Sequence, residues 1–343
     1  MATEHRERED KYDVGAGFVL PDLGDLVASG GRVQRVQLDL ESVYFDTSAH
    51  DLLRHKVTLR RRSGGGEGDT GWQLKVPAGA ARTELRLGPT SDSVVPRELR
   101  DLTTGIRGAR SLQRVGTLRT SRSALRVLDE DGGLVVEVVD DRVQATAGGG
   151  DEGATTGWRE VEVELGTGDE ALLAQIGSRL RGAGATPSPA ASKIARALGL
   201  PETADGAPRD APARSVVADE LARLHSAILL GDLALRRDAG DVHPGEEAVR
   251  RLRDVLRKSA GLFDPVRLAA LADGLAWYAA LLASARDPRV RAGRPALLRA
   301  MGSRRYLALL DENAGWVESP PLARAAGTAG PRLSSLPKPT PTR

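Results

Sequence analysis

The chain has 343 residues, with 49 lysines and arginines against 47 aspartates and glutamates, a formal net charge of +2 and no cysteine. Such a length supports two ordinary domains, the near balance of charge disfavours a protein that coats nucleic acid, and the missing cysteines exclude disulfides and thiolate metal sites and fit a reducing compartment. The N-terminus is polar and no apolar run approaches the ~20 residues of a membrane span, so a cytoplasmic protein without membrane contact is expected.

From the N-terminus to about residue 165 the pattern alternates with period two between Gly and Pro punctuation, which predicts strands. They fall at residues 4–14, 32–45, 57–62, 71–77, 82–87, 112–128, 134–145 and 158–165. Short turns such as Gly64-Gly-Gly66, Asp131-Gly-Gly133 and Gly148-Gly-Gly150 favour antiparallel hairpins, and eight strands can close into a barrel. Helical patches interrupt them at 96–103, 169–181 with Asp169 as N-cap, and 190–198. The expected fold class is therefore α+β: a closed eight-stranded antiparallel barrel with flanking helices over residues 1–200. Residues 201–214 turn to Pro, Ala, Asp and Gly and read as a linker. Helical periodicity follows at 216–235, 245–262, 266–284 and 295–310, an all-helical domain spanning 215–312. Residues 313–343 read as a disordered Pro-rich tail.

Charge within the first domain alternates regularly. Val57-Thr-Leu-Arg-Arg-Arg62 and Gly71-Trp-Gln-Leu-Lys-Val76 carry Arg60, Arg62 and Lys75 at alternate positions. Alternate strand side chains share a face, and like charges facing each other across a sheet are destabilising. A polyanion between them would resolve the conflict. Glu7, Glu9 and Lys11 share a face of the first strand, and Glu160, Glu162 and Glu164 share a face of the last. Between them lie Arg82, Glu84, Arg86, Arg119, Arg122, Glu137 and Asp141. Any one such strand reads as an ordinary solvated face. Six strands, with acid at the two ends and base between, read as the lining of a charged interior, where carboxylates hold a divalent metal and Arg and Lys clamp phosphate. Oxygen-only ligands favour Mg²⁺ or Mn²⁺ over zinc.

These residues carry a resemblance. Glu7-x-Glu9-x-Lys11, Tyr44-Phe-Asp-Thr47 with Leu52-Leu-Arg54, Val57–Arg62, Trp72-Gln-Leu-Lys75, Arg122, Asp141, the Glu160/Glu162/Glu164 strand and Ser192-Lys193 occur in the order of the CYTH domain, the triphosphate tunnel metalloenzyme family, over about residues 4–199. The resemblance implies a tunnel that binds a triphosphate end-on. By it, Lys11, Arg60, Arg62, Lys75, Arg122 and Lys193 cradle phosphate and serve catalysis, with Arg86 and Arg119 as further phosphate contacts. Glu7, Glu9, Glu160 and Glu162 hold one or two divalent ions. Asp141 joins that set, and Glu164 is either a further ligand or a group behind the ligands. One metal neutralises phosphate charge while a second activates water for in-line attack. Arg8 and Asp10, at the alternate positions, suggest an exposed outer face, and Arg61 points outward. Trp72, Trp158 and Tyr44 read as core or rim, and no base-recognition group stands out. Inorganic triphosphate hydrolysis is the expected activity. The alternatives are a polyphosphate binder without turnover, a nucleotide or thiamine triphosphatase, or an adenylyl cyclase of the same family.

In the helical domain His243, Arg250, Arg253 and Arg257 fall on one side of a helix opposite Val249, Leu252 and Leu256. Clustered arginines repel unless they are solvated or bound to an anion. His243, Arg250-Arg-Leu-Arg253 and Ala285-Arg-Asp287 resemble the CHAD domain, a helical module associated with polyphosphate binding. The resemblance is to about half of that domain, and Glu246 stands where its members commonly have arginine.

Overall fold

The computed structural model describes residues 3–27, 30–66, 70–79, 81–90, 94–149, 153–200, 213–237, 241–290 and 292–323. It divides into two compact units, Met1–Leu99 with Arg110–Thr203, and Arg100–Ala109 with Ala204–Arg343.

The first unit is built on ten strands: β1 (Thr3–Glu7), β2 (Glu9–Asp13), β3 (Arg32–Asp46), β4 (Thr58–Ser63), β5 (Gly71–Ala78), β6 (Ala81–Leu87), β7 (Gln113–Leu128), β8 (Leu134–Ala147), β9 (Thr155–Leu165) and β10 (Thr186–Pro187). They form one antiparallel sheet in the order β1-β6-β5-β4-β3-β7-β8-β9-β2-β10. Nine of the ten match the eight expected strands, the first of which is divided at Arg8, and β10 is additional. Residues 3–7 pair with β6, whereas residues 9–13 pair with β9, and the Arg8 carbonyl already accepts from Leu165 N at 2.9 Å. One extended segment thus leaves one side of the sheet and joins the other. The expected closed eight-stranded barrel is corrected in this sense: the two ends meet along the chain, but no ladder joins β1 to β10 and the ten-stranded sheet is not closed by hydrogen bonds.

Period-two alternation gives the sheet two faces. On the outer face of β2, β7, β8 and β9, Tyr12, Leu125, Val127, Val136, Val138, Val161 and Val163 pack against Leu173, Ile176 and Leu180 of α4 (Glu170–Gly182). Asp169 caps that helix, its carboxylate accepting from Leu172 N at 2.8 Å. Arg8 and Asp10 do face outward, where Arg8 pairs with Glu170 at 2.8 Å. At one end of the inner face, Tyr44, Leu118, Val143 and Ala145 pack on Ile194 and Ala197 of α5 (Lys193–Ala197). Much of the rest of the inner face is charged. The short helices α1 (Asp51–Arg54), α2 (Arg97–Leu102) and α3 (Thr104–Arg107) complete the segments before β7.

The second unit contains α6 (Ala213–Arg236), α7 (His243–Lys258), α8 (Pro265–Arg286), α9 (Gly293–Met301) and α10 (Arg304–Glu318). The expected fourth helix is two, separated at Gly302 and Ser303; the Ser303 hydroxyl accepts from Tyr306 N and starts α10. The tail was placed from residue 313, but α10 continues to Glu318 and buries Asn313 and Trp316. Residues 201–212 of the expected linker and 324–343 of the tail lie outside the described residues. Among the described residues, α8 has the length and mean hydropathy (1.5) to cross a membrane, which corrects the reading that no run comes close. Alanines and leucines together supply its apolarity, and Leu271, Leu275, Tyr278 and Leu282 are buried within the unit.

Candidate active site

The inner face of β1 to β9 lines a cavity of about 560 Å³, within the ~300–1,000 Å³ usual for ligand sites. Ten lysines and arginines and six glutamates line it. Parity decides which. On β4 Arg60 and Arg62 face the cavity while Arg61 does not; Arg61 donates to the Thr90 carbonyl at 3.3 Å. Arg60 is held by the Tyr44 hydroxyl at 3.1 Å and the Gln73 amide oxygen at 2.5 Å, and Arg62 donates to Ser42 Oγ at 3.1 Å. The Arg60 and Arg62 charges outweigh burial and lower the Tyr44 pKa.

Two carboxylate groups sit on this lining. The first joins β8 and β9: Asp141, Glu160 and Glu162 are all buried and can each place an oxygen within 4.8 Å of the others. Register puts Asp141 opposite Glu160 and Glu162 opposite Lys11. Cations hold the group together. Arg122 grips both Asp141 oxygens at 2.8 and 2.7 Å, Lys11 contacts Glu162 and lies 3.1 Å from Glu9, and Lys193 contacts all three carboxylates. The Trp158 indole N–H donates to Glu160. Burial opposes ionisation here, but the neighbouring charges win: Asp141 and Glu162 are pushed below the usual carboxylate range, and Lys11 and Lys193 are raised. Glu9 falls to about 2, Lys11 overcoming its burial.

The second group joins β1 and β6. Glu7 is 1% exposed and Glu84 fully buried. Lys75 lies 2.6 Å from Glu7, and Arg86 bonds Glu84 at 2.6 Å. Burial and the hydrogen bond shared with Glu84 raise Glu7 to about 7 despite Lys75, whereas Lys75 and that same bond take Glu84 down to about 2 against its burial. The two therefore share one proton near neutrality. Glu164 also lines the cavity, its pKa raised by burial.

The cavity thus collects Lys11, Arg60, Arg62, Lys75, Arg86, Arg122, Lys193, Glu7, Glu9, Glu162 and Glu164. Asp141 and Glu160 stand behind that lining, in contact with Lys193. Arg119 is the exception. It lies on the exposed outer face opposite Glu41, which it pairs with at 3.0 Å. Positions 119 and 122 have opposite parity on β7, so a regular strand cannot turn both inward. Sequence reasoning placed Glu84 and Glu137 in the charged lining without a role, and did not assign Gln73, Arg126 or Ser192 to the site. Parity with Lys75 and with Arg122 could have found Gln73 and Arg126, whereas Ser192 caps α5 and lies on no strand. Tyr44 is buried in the core cluster on α5 and also lines the cavity, whereas Trp72 is wholly buried against Phe45.

In the helical unit His243, Arg250, Arg253 and Arg257 are all exposed on α7. Arg250 pairs with Glu247 at 2.6 Å and Arg257 with Asp254 at 3.3 Å, and Glu246 pairs with Arg286 at 3.1 Å.

A curled antiparallel sheet thus encloses a cavity of guanidinium, ammonium and carboxylate groups. The chain belongs to the CYTH domain family, whose profile matches residues 26–198; family members bind triphosphate-type substrates and use divalent metals. Two curated relatives, uncharacterized proteins from the CDC 1551 / Oshkosh and H37Rv strains of Mycobacterium tuberculosis, are each 37% identical over 306 residues, 84% of this chain. The alignment spans 59% of their length. Solved structures include a candidate adenylate cyclase from Bacillus halodurans (19% identity, 56% of this chain and 97% of that one, TM-score 0.36). A second is the adenylyl cyclase candidate HpAC1 from Hippeastrum, described as having a dominant triphosphatase activity (18%, 56% and 94%, TM-score 0.32).

Proposed function

We propose that the cavity hydrolyses inorganic triphosphate to pyrophosphate and phosphate with Mg²⁺ or Mn²⁺. The observation that carries this reading is the lining itself, where ten lysines and arginines, nearly all of them buried or half-buried, face six glutamates in about 560 Å³. Part-buried cations that outnumber the glutamates beside them call for further counter-charge, and a phosphate chain supplies it in extended form.

In this reading Arg60, Arg62, Arg122 and Lys75 orient the phosphates and stabilise the charge that spreads over the transferred group, the largest contribution a protein makes to phosphoryl transfer. Gln73, Tyr44 and Ser42 hold two of those guanidinium groups in place, and Arg86 and Lys11 extend the cradle. The oxygen-only set Asp141, Glu160 and Glu162, already gathered around a cation, suits a hard divalent ion, with Glu7, Glu9 and Glu164 as further donors. When bound, that ion would offset phosphate charge and acidify a water. A cytoplasmic location fits this chemistry.

We also read the helical unit as a shortened CHAD domain that recruits polyphosphate through His243, Arg250, Arg253 and Arg257. Their exposed pairs with Glu247 and Asp254 are worth only ~0–1 kcal/mol, so a polyanion can displace them.

The test is a substrate panel of tripolyphosphate, ATP and thiamine triphosphate with each metal. The reading expects tripolyphosphate to be turned over fastest. ATP turnover as fast or faster would favour a nucleotide enzyme, and tight binding without phosphate release a non-catalytic polyphosphate binder.

A further inference from the structure

Lys193 sits inside the carboxylate group rather than beside it. Its Nζ contacts Glu160, lies 2.8 Å from Glu162 Oε1 and 3.2 Å from Asp141 Oδ2. Those are the three carboxylates whose oxygens can converge. Arg122 and Lys11 hold this group from its flanks; among the described residues Lys193 is the cation whose ion pairs reach all three members. A divalent ion bound by the same oxygens, with Mg²⁺ contacts of ~2.0–2.1 Å, would meet the ammonium at about contact distance, two like charges in a buried site. The two cations therefore exclude each other there.

The ammonium has somewhere to go. Ser192 and Lys193 both line the cavity, and the lysine stem is flexible. Its backbone stays fixed meanwhile, because the Ser192 hydroxyl caps α5 and Ile194 and Ala197 are buried beneath it.

We propose that Lys193 is a built-in counter-cation: it occupies the divalent site of the empty protein and is displaced into the cavity when metal enters, where substrate phosphate receives it. This rests on the reading of Asp141, Glu160 and Glu162 as the metal-holding group. Metal and triphosphate then bind with positive coupling, since each favours the same position of one side chain.

The test is Mn²⁺ titration of the full chain without phosphate, read as free Mn²⁺ by electron paramagnetic resonance, for the wild type, Lys193→Met and Glu160→Gln. Lys193→Met should bind Mn²⁺ about tenfold tighter than wild type, within the ~5–150-fold usual for coupled sites, while Glu160→Gln binds it more weakly. Equal or weaker binding by Lys193→Met, alongside weakened Glu160→Gln, overturns the Lys193 inference and leaves the metal site standing. Glu160→Gln that binds as wild type overturns the metal-site reading and this inference with it. Should Lys193→Met not fold, ¹⁵N-lysine spectra of the wild type decide the matter: Mg²⁺ without phosphate should move the Lys193 ammonium signal, and an unmoved signal in the Mg²⁺-loaded protein overturns the inference.

Discussion

Arg60 and Arg61 are chain neighbours with opposite surroundings. Arg60 lines the cavity between Tyr44 and Gln73, and Arg61 reaches a loop carbonyl behind the sheet. Arg60→Ala should lower kcat/KM for tripolyphosphate by ~10²–10³, the usual effect of deleting one donor to a developing oxyanion. Arg61→Ala should stay within about threefold of wild type, the range of ~0.5 kcal/mol for a substitution away from such features; equal losses in both would mean that the register is wrong. Glu7 makes a second prediction. Its carboxyl is raised from 4.5 to about 7, so the folded protein holds its proton more tightly than the unfolded chain does. The stability that this proton contributes is fully present below about 4.5 and is lost as pH rises through about 7. Glu7→Gln keeps a donor toward Glu84 and cannot ionise, so its melting temperature should fall less than that of wild type between pH 5 and pH 8. A parallel fall in the two proteins would contradict the assignment.

At the scale of elements, alternation was enough to find the strands and to separate Arg60 and Arg62 from Arg61, because a half-buried strand writes its two environments at every second residue. The same alternation separates Arg119 from Arg122, whose parity differs, so the two could not both contact phosphate. It could not show that the first strand divides at Arg8 to serve both sides of the sheet, which depends on partners more than 70 residues away. The split of the last predicted helix turned on Ser303, a cap that local apolar spacing does not reveal. Packing of α4 on the outer face gives a further prediction. A Cβ on Gly177 would lie 2.3 Å from the Tyr12 hydroxyl and 3.4 Å from the ring carbon that bears it. Gly177→Ala should therefore cost ~1–3 kcal/mol from overpacking, and Tyr12→Phe should relieve most of that cost in a double-mutant cycle read by urea unfolding. Additive effects would contradict the packing.

For the molecule as a whole, ten residues inside the β-unit's sequence belong to the other unit. Residues 100–109 group with the helical unit, and Gly105 comes so close to Asp232 that a Cβ would lie 2.2 Å from its carboxylate. Asp232 is itself fixed by Arg236 at 2.7 Å, with burial raising its pKa. Gly105→Ala should lower the melting temperature through the helical unit while leaving the KM for tripolyphosphate unchanged; a raised KM would contradict the division into units. Sequence spacing alone placed this segment within the barrel domain, since membership in a unit is decided by contacts, not by order along the chain. The charged interior was nevertheless legible, because alternating cations and carboxylates on successive strands had no other shared explanation.

The central claim is that the cavity turns over triphosphate rather than merely gripping it. It is tested most directly by measuring phosphate release from tripolyphosphate, together with tripolyphosphate affinity, for the wild type and for a Glu160→Gln, Glu162→Gln double variant in Mg²⁺ or Mn²⁺. The account predicts metal-dependent release by the wild type, and loss of release in the double variant with tripolyphosphate still bound. Tight binding by the wild type with no phosphate released in either metal would contradict it.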